Sequence, residues 1–320
     1  MFFRPRSSTQ RTKPRLRVSM NALKSKAKRM RYGLEAPTES GLVSALEQVS
    51  PHAPTPVSQM RSAGPTRLWL KNDGVLGTVY GGNKVRKLRL LLSHALERGI
   101  RRIVTVGAAG SNHVLATTLA GRALGLEVFA LMVPQAHTPH AERVLRCSVG
   151  QGARILELGS PRDFARAVRL VLTPDVLFLG PGAMGVEGSL SYVWAVEELK
   201  QQIGSADLPE PDEIVVAAGS GSTAAGLLVG LEHHALRTRL VAVSATASRW
   251  TKPSILMQAW RLARHQNLGV SLGALAARLE VDASRAGAGY GLPTPQGEHA
   301  TRIAAAGGLD LDPTYTAKAF

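Results

Sequence analysis

Lys84 follows the turn Gly81-Gly82-Asn83 and leads a stretch in which Val85, Leu88, Leu91, Leu92, Ala95 and Leu96 recur at helical spacing. An amine on a glycine turn at the mouth of a helix loses pKa by desolvation and becomes able to attack a carbonyl. Two later loops, Gly110-Ser111-Asn112-His113 and Gly219-Ser220-Gly221-Ser222-Thr223, supply what a phosphorylated aldehyde would need. The second follows an apolar run at 214–218 and opens a helical pattern. Its glycines admit a close backbone approach, the unpaired N–H groups of the first turn and the helix dipole favour an anion, and Ser220, Ser222 and Thr223 add hydroxyl donors. Together they describe the start of a Schiff base between Lys84 and pyridoxal phosphate. The plain reading of the same loop is a close-packed strand-to-helix turn.

Two rival phosphate motifs fit less well. Gly219, Gly221 and Ala224 satisfy G-x-G-x-x-A, but a dinucleotide site also wants an acid about 20 residues on, to hold a ribose. The strand expected there, Leu240-Val241-Ala242-Val243-Ser244, has none, which disfavours a nicotinamide enzyme. The pattern G-x-x-x-x-G-K-[ST] is absent. In the earlier loop, Ser111 and Asn112 are either simple helix caps or a carboxylate-receiving hydroxyl and a ring-directed amide. His113 reads as packing or capping, with no carboxylate paired to it in the pattern. Tyr290 and Tyr315 lie in loops where a tyrosine is equally a packing residue with a wet hydroxyl.

These residues need a framework of adequate size, and 320 residues with 44% hydrophobic and 5% aromatic content suit an α/β enzyme with two cored lobes. No apolar run approaches the roughly 18 residues of a membrane span, and the start lacks a secretory apolar block, so a cytoplasmic protein is expected. The single cysteine, Cys147, can form no internal disulfide and has no clustered metal-ligand partners; it reads as a core residue on a helix, and no metal is expected. The net charge of +16 is concentrated in residues 1–31, which hold eleven Lys and Arg and no acid, leaving 28 bases against 23 acids elsewhere. Such an arm is ordinarily a solvated, disordered tail. Nucleic-acid binding, a transit peptide, or extra residues ahead of a start at Met20 or Met30 are the alternatives. No aromatics interleave the charges as a single-strand binder would want.

Residues 40–66 read as a Pro- and Ser-rich extended leading segment, with the folded body starting near Ser44 and a short strand at Leu68-Trp69-Leu70. Strands and helices then alternate. Strands are expected at 103–106, 128–133, 154–158 and 176–179, with helices at 112–124, 141–149 and 163–172. A second series has helices at 190–202 and 223–234 and strands at 213–218 and 240–244. Continuous apolar strands alternating with amphipathic helices mean parallel sheets covered on both faces. The glycine-rich stretch 180–188 separates the series into two lobes, each a mostly parallel sheet wrapped by helices, with ligands at the carboxyl ends of the strands.

In this order the segments resemble the D-cysteine desulfhydrase and 1-aminocyclopropane-1-carboxylate (ACC) deaminase family of pyridoxal-phosphate enzymes, from about Pro51 to Phe320. The lysine loop and the run Asp312-Pro313-Thr314-Tyr315-Thr316-Ala317-Lys318 carry the likeness most specifically. The resemblance implies the tryptophan-synthase-β-like fold (PLP fold type II). Beyond the basic arm, placed at 1–43 from its composition, it also implies a large cofactor lobe from 44–85 and 186–320, a small inserted lobe at 86–185, and a homodimer. By matching motif it makes Lys84 the Schiff-base lysine and proton shuttle, with Asn83 beside it. Asn112 would meet the ring hydroxyl, Gly219, Ser220, Gly221, Ser222 and Thr223 would grip the phosphate, and Thr316 would stand at the pyridine nitrogen. Ser111, Tyr290 and Tyr315 would face a small amino-acid substrate. ACC deaminases resemble one another in placing Glu after the second tyrosine; Thr316 here is similar to the desulfhydrases and implies β-elimination to a keto acid and ammonia. ACC-type ring-opening deamination is the runner-up, and a weakened paralogue binding nucleic acid through its arm is the alternative of another class. The sequence departs from the family at Lys71-Asn72-Asp73-Gly74, Ala183-Met184 and Ala224.

Overall fold

The computed structural model describes residues 54–60, 67–156 and 160–320. The basic arm and the start of the folded body near Ser44 lie outside the described residues. A short antiparallel pair, β1 (Val57–Met60) and β2 (Leu68–Lys71), leads the fold. A single helical turn at Asp73–Val75 follows, then α1 (Asn83–Glu97).

The next strands are β3 (Arg102–Ala108), β4 (Glu127–Val133), β5 (Arg154–Leu156) and β6 (Val176–Leu179). They form one all-parallel sheet in the order β5-β4-β3-β6. Between them run α2 (Asn112–Ala123), α3 (Pro139–Gly150) and α4 (Pro161–Val171). Side chains alternate along a strand, so Ile103 enters a core with Ala116 and Ala120 of α2, while its neighbour Val104 enters another with Ala167 of α4. Both faces of this sheet are therefore covered, which is why its strands read as unbroken apolar runs.

A turn at Pro181–Ala183 leads to α5 (Val186–Gly204), β7 (Glu213–Ala218), α6 (Ser222–His233), β8 (Arg239–Ser244), α7 (Thr251–His265), α8 (Leu272–Arg278) and β9 (Leu279–Asp282). The parallel order is β7-β8-β9. Its core draws Leu190 from α5, Leu228 and Leu231 from α6, Leu240 from β8, and Ile255 and Leu262 from α7, all fully buried. Each such side chain contributes about 1.5–3 kcal/mol of transfer free energy. The chain closes with α9 (Pro295–Ala306) and the short α10 (Thr316–Ala319).

Helix α1 belongs to both cores. Its Leu88 and Leu92 pack with β3 and α2, whereas Leu90 packs with α5 and α6. The helix that carries Lys84 in its first turn is thus wedged between the two parallel sheets. One expectation fails locally: Cys147 lies on α3 but is exposed. The face of α3 that turns inward carries Ala141, Val144 and Ser148, and Cys147 falls off that stripe.

Candidate active site

Three chain reversals converge at the head of α1. The first is the glycine turn before Lys84. A Cβ on Gly81 would sit 1.9 Å from the Gly74 carbonyl oxygen, so only glycine lets the 73–75 turn approach, and the Gly82 N–H donates to Asp73 O at 2.8 Å. Gly82 then takes φ +88° and starts the helix without a side-chain cap, a conformation that other residues adopt at a cost.

The second is the loop between β7 and α6. Gly221 has φ +87°, and no side chain caps α6. Ser222 and Thr223 are buried there. A Cβ on Gly219 would lie 2.8 Å from Tyr315 Cε1, so the glycine is what lets the tyrosine ring lie against the loop. Gln258 of α7 braces it by donating to Ser220 O at 2.7 Å.

Helix α1 and this loop are stitched together by side chains. Asn83 Nδ2 donates to Thr223 Oγ1 at 3.1 Å, and Lys84 Nζ donates to Asn83 Oδ1 at 3.1 Å. Lys87, one helical turn after Lys84, is 1% exposed and donates to Ser222 Oγ at 2.6 Å. Sequence reading passed over Lys87, because within Arg86-Lys87-Leu88-Arg89 it looks like part of a solvated basic face. The i, i+3 relation to Lys84 was the available signal.

Burial lowers the Lys84 amine to about 8, partly opposed by the charge of Asp312. Burial, with Lys84 repelling it, holds Lys87 well below the ordinary lysine range. Neither amine has an ion-pair partner among the described residues. Two amines, the uncapped N–H groups of α6 and three hydroxyls thus converge without a carboxylate between them. That donor set fits a phosphate ester, whose charge would satisfy what the protein leaves uncompensated.

The third reversal, ahead of α10, carries Tyr315, and the loop before α9 brings Tyr290 to it. Tyr290 OH and Tyr315 OH are hydrogen-bonded at 2.8 Å, and the Lys84 amine lies 5.6 Å from the Tyr315 ring centroid. Burial raises both phenols, Tyr315 further, so both are protonated at neutral pH. Lys318 fastens this corner. Its buried amine donates to Ala286 O at 2.7 Å and to Ala245 O and Gly289 O at 3.3 Å, tying α10 to the end of β8 and to the loop before Tyr290.

Other expected residues are placed as follows. Ser111 is buried and caps α2, accepting from the Val114 N–H at 3.4 Å. Asn112 opens α2 and is half-buried. His113 is buried, its Nε2 3.0 Å from Thr105 Oγ1. Burial and then the charges of Lys84 and Lys87 push it down to about 3, so it is a neutral packing residue, as its sequence context suggested. Thr316 is exposed, and its hydroxyl donates to the Asp312 carboxylate at 3.0 Å. Asp312 also accepts the N–H groups of Thr314, Tyr315 and Thr316, which shapes the turn.

Two parallel α/β sheets sharing one helix, with a part-buried lysine at its head beside a glycine-hydroxyl loop, define the architecture of PLP fold type II. The chain belongs to the pyridoxal-phosphate dependent enzyme family, whose model matches residues 50–320. Its cofactor is pyridoxal 5′-phosphate. Over 284 residues the chain is 34% identical to nocardicin C-9′ epimerase of Nocardia uniformis subsp. tsuyamanensis, covering 84% of each protein. A crystal structure of an ACC deaminase homologue superposes with a TM-score of 0.71 at 26% identity, covering 88% of each chain. A pyridoxal 5′-phosphate-dependent aspartate racemase shares the fold at a TM-score of 0.58 and 16% identity, covering 89% of this chain and 91% of that one.

Proposed function

We propose that this enzyme acts on a small amino acid by removing the α-proton and then eliminating a β-substituent, giving a keto acid and ammonia. In this reading Lys84 would carry the cofactor covalently and, when free, would take the substrate's α-proton at Nζ and pass it to the departing β-group. Asn83, Lys87 and residues Gly219, Ser220, Gly221, Ser222 and Thr223 hold the phosphate. Asn112 faces the ring hydroxyl and Thr316 the ring nitrogen, while Ser111, Tyr290 and Tyr315 border the substrate. The bound cofactor supplies an electron sink for a carbanion at the substrate's α-carbon.

The observation that carries the proposal is the lowered Lys84 amine, at about 8, beside a phosphate-compatible donor set. A lysine at 10.5 is almost wholly protonated at neutral pH, whereas one at about 8 is neutral in roughly a tenth of molecules and is suited to take a proton. The paired phenols, kept protonated by burial, can donate to a departing β-group or to a substrate carboxylate. Thr316 is an uncharged hydroxyl where ACC deaminases resemble one another in having Glu, which supports elimination over ring opening. A homodimer is part of the same reading.

A second reading has its own support: the epimerase at 34% identity would share the α-proton step but return the proton to the opposite face. Incubation with a panel of D- and L-amino acids in deuterated buffer separates the two. Keto acid and ammonia released in equal amounts, with both lost in Lys84→Ala, support elimination. Inversion with the amino group retained supports epimerisation. Absence of α-exchange, release and inversion across the panel contradicts the proposal.

A further inference from the structure

The loop that carries Tyr290 has little of its own to hold it. It runs from the end of β9 to the start of α9, and its Gly287, Gly289 and Gly291 take φ of +65°, +151° and +76°. Such a segment has wide conformational freedom to lose on ordering. Among the described residues, 287–291 make a single backbone-to-backbone hydrogen bond, from Leu292 N to Gly289 O at 3.4 Å. Ala286 is buried, but Ala283, Ser284, Arg285, Gly287 and Ala288 around it are exposed.

The tie comes from Lys318. An ammonium has three donors, and this one directs them at three carbonyls: Ala245 O just after β8, and Ala286 O and Gly289 O on either side of Gly287. Lys318 is 5% exposed, and no carboxylate pairs with it among the described residues. A charge enclosed by carbonyl oxygens is the setting in which a protein replaces the hydration shell of a monovalent cation. The effect carries inward, because Tyr290 follows Gly289 directly and its hydroxyl bonds that of Tyr315. The Tyr315 ring in turn lies against Gly219 and 5.6 Å from the Lys84 amine.

We infer that Lys318 is a positioning residue, a monovalent cation tethered to α10 that holds the Tyr290 loop and so sets both phenols for an amino-acid substrate. The inference rests on reading Tyr290 and Tyr315 as bordering that substrate. It makes the charge replaceable. Lys318→Ala opens room at the three carbonyls for a free ammonium or potassium ion, whereas Lys318→Met fills the same room with an apolar stem.

Trypsin reads the loop directly, since Arg285 is exposed beside Ala286. Cleavage after Arg285 in the holoenzyme, followed by mass spectrometry, should quicken about tenfold in both variants, because it tracks the population of the opened loop. Amino acids that perturb the cofactor's visible band should bind about tenfold more weakly, with the band itself kept. Ammonium or potassium chloride should reverse both changes in Lys318→Ala but not in Lys318→Met. Tetramethylammonium chloride at equal ionic strength, too large for the place and without N–H donors, should reverse neither. Native cleavage rates in both variants, changes that ammonium and potassium leave in place in Lys318→Ala, or changes that tetramethylammonium also reverses, overturn the inference. A loosened loop with unaltered amino-acid binding instead overturns the placement of Tyr290 at the substrate, while the hold of the cation on the loop stands.

Discussion

At the scale of single residues, two amines decide what this site can do, and only one was legible in the sequence. Lys84 announces itself through the Gly81-Gly82-Asn83 turn ahead of it. Lys87 does not, because burial of a lysine depends on which neighbours close over it, here Ser222 and the Gly182 backbone from distant parts of the chain. The depressed Lys84 amine has a stability consequence of definite sign. The unfolded chain holds that proton up to about 10.5, the folded apoprotein only to about 8. Between those values the unfolded state binds more protons, so stability rises with pH, and the penalty is complete below about 8. Lys84→Met should therefore stabilise the apoprotein at pH 7, by at most about 3 kcal/mol since the side chain is part-buried. The gain should shrink as pH approaches 10. Urea unfolding of native and variant apoprotein at pH 7, 8.5 and 10 measures it; a gain that is flat or grows with pH would show that Lys84 is not desolvated.

At the scale of elements, the position of α1 depends on a part-buried charge cluster as well as on its leucines. Arg86 donates to Asp73 at 2.8 Å and to Glu198 of α5 at 2.9 Å, Lys71 of β2 donates to Glu198 at 2.6 Å, and Tyr192 donates to Asp73 at 2.8 Å. Burial would push Glu198 up, but hydrogen bonds and charge from Arg86 and Lys71 bring it down to about 2. The cluster holds the 73–75 turn, and so the turn before Lys84, against α5. Arg86→Met would leave Asp73 and Glu198 undercompensated, a loss of about 1–3 kcal/mol since the pairs are part-buried. It should weaken cofactor uptake as well, because the head of α1 loses its brace. Denaturation midpoints and cofactor titration read the two effects; a change below about 1 kcal/mol with uptake intact would mean the helix is held by its apolar contacts alone. The departure at Lys71-Asn72-Asp73-Gly74 marked this segment in the sequence, but partners more than a hundred residues away could not be read from it.

The alternation of strand and helix up to Ser244 was legible because short apolar runs there are separated by helical stretches bounded by turn residues. Beyond it the signal blurs. Helix α7 exposes Met257 and Trp260, as its cap exposes Trp250, while burying Ile255, Ala259 and Leu262, so apolar residues mark both faces and the period is lost. Strand β9 is four residues long and half charged, too short for a pattern. The caps at Ser271 and Thr294, each accepting an N–H three residues on, were readable helix starts. Sequence reading left them unused.

At the scale of the whole molecule, no helix among the described residues is long and apolar enough to cross a membrane. The excess charge of the chain sits in residues 1–31, away from the site residues in sequence. What unites the molecule is that two parallel sheets share α1, so the lysine at its head lies where elements from both can reach it. The two parallel sheets were legible from the two strand-helix series, but the sharing of α1 between them was not, because its leucines face two cores on one helical period. The account stands on Lys84 being the residue that bonds the cofactor. Borohydride reduction of the yellow holoenzyme, followed by proteolysis and mass spectrometry, tests this directly. The account predicts one reduced cofactor adduct, on the peptide containing Lys84, and none in Lys84→Ala. An adduct on Lys87 or another lysine, or one that persists in Lys84→Ala, would contradict it.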